Sequence, residues 1–243
     1  MKLLTALKYM YKSFVQNDEY SRFVLSEKLV KIIYPGYKFS EYGRSFLKDK
    51  KFAEFYEKYE GENVHSYDRK YLLSQLVKLT DHLDGDVAEC GVFEGASSYL
   101  MFERIEHKQK KMHLFDSFEG LSAPNDTDGG YWAEGDLSAS ERTVRENLPD
   151  SGKILYYKGW IPEKFYLVDN VKFSFVHLDV DLYQPTYDSL AFFYARMEAG
   201  GIIVCDDYGF DSCPGAKKAL DEFFLDKEEI IKVPTGQAFV IKR

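Results

Sequence analysis

Two short acidic runs carry the most chemistry in this 243-residue sequence. One is His177-Leu178-Asp179-Val180-Asp181-Leu182-Tyr183, and the other is Cys205-Asp206-Asp207-Tyr208-Gly209. Each closes an apolar run with the length and composition of a buried strand. If those strands are neighbours in a parallel sheet, four carboxylates converge at one edge. Like charges that close together are costly unless a cation neutralises them. An all-oxygen ligand set suits a hard ion such as Mg²⁺. A hydroxyl bound to such an ion loses its proton more readily, and a nearby carboxylate can take it. Either pair alone reads equally well as turn or helix-cap residues. Two pairs, each at a strand end, favour a metal site. His177 reads as a support for its neighbours rather than a ligand.

A second constellation lies in Val87-Ala88-Glu89-Cys90-Gly91-Val92-Phe93-Glu94-Gly95. It reads as strand, tight turn and helix start, with Gly91 and Gly95 freeing the backbone to turn. A dinucleotide fingerprint would carry a middle glycine, but position 93 is Phe. S-adenosylmethionine (SAM) has no phosphate and carries a sulfonium cation, so the acid Glu89 beside the loop suits it. The next apolar run, Leu114-Phe115-Asp116-Ser117-Phe118, ends in an acid placed to accept from both ribose hydroxyls. Gly159 and Trp160 follow the third strand, either flanking the adenine or packing.

These residues need a scaffold. From residue 85 onward apolar strand-like runs alternate with helical ones. The strands read as 86–90, 111–116, 154–157, 173–179 and 202–206. A helix with the stripe Tyr187, Leu190, Ala191, Tyr194 and Met197 is expected to end at Gly200-Gly201. Ser138 with Glu141 fits a capping box for a helix reaching Leu148. Another helix is read from Pro214 to Leu225. Segments 229–233 and 238–242 close the chain as a hairpin. The expected fold is α/β: a mostly parallel, Rossmann-like sheet of seven strands with a C-terminal antiparallel hairpin.

Residues 1–80 carry helical periods and little strand signal. Leu3, Leu7, Met10, Tyr11, Phe14 and Val15 share one helical face. Phe52, Phe55, Tyr56 and Tyr59 form a second set. Tyr71, Leu72, Gln75, Leu76 and Leu79 form a third. Tyr34-Pro35-Gly36 reads as a turn. Residues 1–80 are expected to form a helical lid or oligomerisation extension on a catalytic domain at 81–243. Lys2, Lys8 and Lys12 flank the first helix, so contact with a membrane surface and contact with a partner both fit it.

The chain is acidic, with 40 Asp and Glu against 32 Lys and Arg, which disfavours nucleic acid as a partner. Three cysteines without zinc-site spacing suggest a reduced, cytoplasmic setting. No apolar run approaches the ~20 residues needed to cross a bilayer, and a secretion signal is not evident.

In order along residues 80–243, VAECGVFEGASS, LFDSFEGL, KGWIPE, VHLDVDLYQPTYDSL and GGIIVCDDYG resemble the macrocin O-methyltransferase (TylF-type) family, which methylates sugar hydroxyls of antibiotics. The resemblance implies that Asp179, Asp206 and Asp207 hold Mg²⁺ and that Asp181 is the general base. It implies a SAM pocket that includes Glu89, Gly91, Asp116 and Ser117. It also implies a sugar-containing acceptor and a homodimer. The loop at 120–137 is expected to cover the acceptor. Three rivals use the same residues. Asp179-x-Asp181 is the form of a glycosyltransferase metal motif. A phosphatase would need its nucleophilic Asp on the first strand. A scaffold protein would bind SAM without turnover.

Overall fold

The structure is a computed structural model that describes residues 3–36, 42–59 and 66–243. It divides into two compact units, at 1–55 and 56–243.

In the smaller unit, α1 (Leu3–Phe14) and α2 (Glu19–Ile33) pack as a helical hairpin. Asp18 caps α2, its carboxylate accepting from the Ser21 amide at 2.9 Å. Arg22 Nε donates to the Ser13 carbonyl at 3.3 Å and ties the helices. Leu4, Leu7, Tyr11 and Phe14 recur at helical spacing on α1 and are exposed, Leu4 at 83%. The helix α3 (Lys50–Tyr59) spans the boundary between the units.

The larger unit is a seven-stranded sheet in the order β3-β2-β1-β4-β5-β7-β6. Its strands are β1 (Asp86–Cys90), β2 (Met112–Asp116), β3 (Ile154–Lys158), β4 (Phe173–Leu178), β5 (Met197–Cys205), β6 (Ile231–Lys232) and β7 (Ala238–Ile241). The first five are parallel, and β7 runs antiparallel between β5 and β6. The expected α/β architecture and terminal hairpin are what the structure has.

Side chains alternate across this sheet, so each strand feeds two cores. Ala88, Cys90, Phe115, Val176, Leu178, Ile203 and Cys205 point to one face. There they meet α7 (Tyr183–Tyr194) and α8 (Pro214–Phe224) through Leu190, Phe193, Leu220 and Phe224. Val87, Leu114, Phe175, Ile202 and Val204 point to the other face. They meet α4 (Tyr67–Leu76), α5 (Ala96–Ile105) and α6 (Glu141–Asn147) through Leu73, Met101 and Val144. Fully burying a side chain such as Phe193 contributes ~1.5–3 kcal/mol. Because both faces are covered, the strands are mostly apolar, and the polar residues within them such as Glu89, His113, Ser174 and His177 are buried. At their C-terminal ends the order reverses between β1 and β4, which opens a crevice.

Three local readings are corrected. The helical stripe stops at Tyr194, and Met197 opens β5. Gly200-Gly201 lies inside that strand, where Phe173 pairs with Met197 but Phe175 with Ile202. The surplus residues bulge out, and Gly200 takes φ +85° there. The cap of α6 is Ser140, whose hydroxyl accepts from the Thr143 amide at 3.1 Å, not Ser138. On α4 the buried face is Lys70, Leu73 and Leu76, while Leu79 beyond it is 54% exposed. A lysine can lie on that face because its amine reaches the Ser97 hydroxyl.

Candidate functional site

The crevice is built from the C-terminal ends of β1, β2, β4 and β5. Gly91 ends β1 with φ +80°. A Cβ there would sit 1.8 Å from the Asp179 carbonyl oxygen. The residue that must be small therefore meets the neighbouring strand, whose Asp179 amide donates to the Cys90 carbonyl at 2.9 Å. Gly95 takes φ +89° as the N-cap of α5. The Asp116 carboxylate accepts from the amides of Val92 at 2.6 Å and Phe118 at 2.6 Å, with Phe93 at 3.4 Å. It thus holds the glycine loop as well as facing the crevice. Burial pushes its pKa up, and the amides act against that shift. The Ser117 hydroxyl donates to the Gly120 carbonyl at 2.9 Å.

Glu89 is fully buried beneath this loop. It accepts from the Ser98 hydroxyl and lies 3.0 Å from His177 Nδ1. His177 Nε2 lies 3.3 Å from Asp206 Oδ1. Burial opposes charge on that imidazole, but the hydrogen bonds to Asp206 and Glu89 outweigh it and hold its pKa up at about 10. His177 therefore links Glu89, on the strand that leads into the glycine loop, to Asp206 of the acidic cluster.

The four acids do meet. Ligand atoms of His177, Asp179 and Asp206 lie within 4.8 Å of one another, and so do those of Asp181, Asp207 and Cys213. Asp207 is thus grouped with Asp181 rather than with Asp179. Asp181 takes φ +59° and its amide donates to Asp207 Oδ2 at 3.0 Å. Its carboxylate accepts from the Cys213 thiol at 3.3 Å. Burial, then the charge of Asp179, pushes Asp181 up to about 7. Burial with Asp181 and Asp206 alongside raises Asp207 well above the carboxylate range. Charge crowding of this kind, met by oxygen ligands, fits a divalent cation. Arg69 of α4 brings a guanidinium to this cluster, pairing with Asp206 and lying 3.8 Å from Asp207 Oδ1. Sequence reading missed Arg69, since nothing local ties it to acids more than a hundred positions away.

A cavity of about 440 Å³ opens beside these groups. Gly91, Asp116, Ser117, Trp160, Asp179, Asp181 and Asp207 line it. Glu89, Gly95, Gly159 and Asp206 are not among its lining residues. Gly159 instead packs on Lys164, with a Cβ position 2.8 Å from Lys164 Cε. The 120–137 loop supplies Leu121, Ser122, Tyr131, Trp132 and Leu137 to the lining. The loop is pinched at its base, where Leu121 N donates to Asp136 O at 2.8 Å and Gly135 N to Leu121 O at 2.9 Å. Its tip is anchored by the buried acid Asp128. Asp128 accepts from the Asn125 amide at 2.9 Å and from the Tyr183 amide at the start of α7 at 2.6 Å.

Comparison with known proteins agrees with this geometry. Residues 71–235 match the family described as Macrocin-O-methyltransferase (TylF). The demethyldecarbamoylnovobiocin O-methyltransferase of Streptomyces niveus is 26% identical over 159 residues, 59% of each chain. The 8-demethyl-8-(2,3-dimethoxy-alpha-L-rhamnosyl)-tetracenomycin-C 4'-O-methyltransferase of Streptomyces olivaceus is 28% identical over 152 residues, 57% of this chain and 58% of that one. The alignments thus span under three fifths of these relatives' lengths. Among solved structures, the O-methyltransferase NovP shares the fold with a TM-score of 0.63 and 24% identity, over 74% of this chain and 83% of that one. The calicheamicin methyltransferase CalS11 shares it with a TM-score of 0.64 and 17% identity, over 83% and 98%. With its sheet order, its glycine loop and the family match over most of its length, this chain belongs to the macrocin-O-methyltransferase (TylF) family.

Proposed function

We propose that this protein transfers a methyl group from SAM to a hydroxyl of a sugar-containing small molecule, assisted by Mg²⁺. The observation that carries the reading is the meeting of two acidic strand ends and the glycine loop at one cavity. Relatives named for methylating glycosylated antibiotics support the sugar class.

SAM supplies an electrophilic methyl on a sulfonium, and Mg²⁺ lowers the pKa of a coordinated hydroxyl and fixes its direction. The rest falls to the chain. Asp116 and Ser117 line the donor side of the cavity, with Gly91 at its base and Trp160 offering an aromatic face. Asp179, Asp206 and Asp207 would hold the ion, with His177 orienting Asp206. Asp181 would take the acceptor's proton on a carboxylate oxygen, leaving the hydroxyl oxygen free to receive the methyl that bound SAM would supply, with sulfur departing as a neutral thioether. Tyr131 and Trp132 wall the cavity and exclude water from that step. Glu89 acts indirectly, by fixing His177.

We further propose a homodimer, paired through the exposed apolar face of α1, with the 1–80 segment contributing to pairing and cover. Three buried free thiols fit a reducing, cytoplasmic setting.

The decisive experiment measures methyl transfer and SAM binding together. Asp206→Ala is expected to lower Mg²⁺-dependent transfer to a glycoside acceptor by about 10²–10⁴-fold, while SAM affinity in calorimetry stays within about threefold. Unchanged turnover in that variant would remove the metal from the mechanism. Wild-type protein that binds neither SAM nor its demethylated product in native mass spectrometry would remove the methyltransferase reading itself.

A further inference from the structure

Both carboxylate oxygens of Asp206 are occupied by protein groups. Oδ1 faces His177 Nε2 at 3.3 Å and also accepts from Gln237 Nε2. His177 and Gln237 are buried, at 0% and 1% exposure, and each is held by a second partner. Glu89 fixes the imidazole at 3.0 Å, and Thr235 donates to the Gln237 amide oxygen at 3.0 Å. Oδ2 is taken by Arg69 Nη2, which also reaches the Asp206 carbonyl at 3.2 Å.

The two sides differ in how easily they can yield. His177 and Gln237 are short, packed side chains on strand ends. Arg69 arrives on a long flexible stem from α4, 137 positions away in sequence. Its guanidinium carbon stacks 4.5 Å from the Phe210 ring centroid, on the wall of the cavity. Its Nε is buried without a hydrogen-bond partner. An arginine serving only to fasten α4 would be expected to satisfy that N–H. Here the fork is instead set to put charge on the acids. The family match begins at position 71, so it does not assign Arg69 a role.

We propose that Arg69 is a resident counter-ion of the carboxylate cluster. It holds Asp206 Oδ2 until a divalent cation takes that oxygen, so metal loading and withdrawal of the Arg69 side chain are one event. The idea rests on the reading above that a divalent ion binds these acids. It adds that the ion's affinity is set by competition with a side chain of the same protein. Without Arg69 the acids repel one another and are available together, so the variant should bind metal more tightly and be more dependent on it.

The test is metal binding on the full chain, not turnover. Mg²⁺ and, separately, Mn²⁺ are titrated calorimetrically into wild type, Arg69→Gln and Arg69→Lys. Arg69→Gln is expected to bind either ion about ten- to a hundredfold more tightly, the worth of a charged hydrogen bond that no longer competes. Its Tm in EDTA should fall below that of wild type, and Mg²⁺ should raise it further than it raises wild type. Arg69→Lys, which keeps the charge but not the fork, should lie between the two and serves if the glutamine variant does not fold. In wild type, the ¹⁵Nε resonance of Arg69, assigned by its loss in Arg69→Lys, should shift as Mg²⁺ saturates. Equal or weaker metal binding by the variants beside a wild type that does bind metal would overturn the competition and leave the metal reading standing, as would an unmoved resonance. No binding of Mg²⁺ or Mn²⁺ by any of the three, with S-adenosylhomocysteine still bound, would overturn the metal reading and this inference with it.

Discussion

At the scale of single residues, Asp116 carries two duties that are hard to separate. Its oxygens organise the amides of Val92 and Phe118, and it also lines the cavity. Charge-assisted hydrogen bonds of this sort are each worth ~1.5–3 kcal/mol. Asp116→Ala is therefore expected to weaken SAM binding about ten- to a hundredfold, with a lower Tm, while Mg²⁺ affinity holds. Calorimetry giving normal SAM affinity would show that the loop keeps its shape without the acid. The acids themselves were legible in the sequence because strand ends in parallel sheets are where ligands bind. Their company was not. Arg69, Gln237 and Cys213 reach the cluster only through the tertiary fold, and none carries a local signal. The sequence marks Gly91 as a turn glycine, and the close approach of the Asp179 backbone to its Cβ position emerges only in the fold.

Among elements, β1 and β2 are stitched at their N-terminal ends by Asp86. It accepts from the Lys111 amide at 2.8 Å and lies 2.9 Å from His113 Nε2. Burial opposes its charge, but the bonds from His113 and the Lys111 amide outweigh burial and depress its pKa. A depressed folded-state value means that the contribution to stability is present above the ordinary carboxylate pKa. It is lost as pH falls through the folded value. Asp86→Asn should lower Tm at pH 7, by about 2–4 °C for each kcal/mol lost, and the gap to wild type should close below about pH 4. A gap that shows no narrowing between about pH 5 and pH 2 in thermal melts would mean the charge is not what matters. Element existence was readable from apolar runs and their spacing. The end of α7 was not, because Met197 extends the helical period and a glycine pair serves a strand bulge as well as a helix cap. The buried face of α4 was also hidden, since a period built on apolar residues passes over Lys70.

For the whole molecule, no helix among the described residues is long and apolar enough to cross a membrane. What the small unit leaves exposed is a short apolar stripe on α1 in an otherwise acidic chain. If that stripe pairs subunits, sedimentation analysis should give a dimer, and Leu4→Glu with Phe14→Glu should give a monomer of unchanged secondary structure. A wild type that sediments as a monomer would end that proposal. The larger unit poses a different constraint. One absent methyl group, at Gly91, lets two strands close on each other, and the His177 ring couples the acids on either side of that seam. On the proposed function, donor recognition and ion recognition would therefore share a wall. On that reading, swapping the first βα turn for that of a distant relative is expected to retune both at once, whereas changes in acceptor scope are better sought in the 120–137 segment, which supplies Tyr131 and Trp132 to the cavity lining.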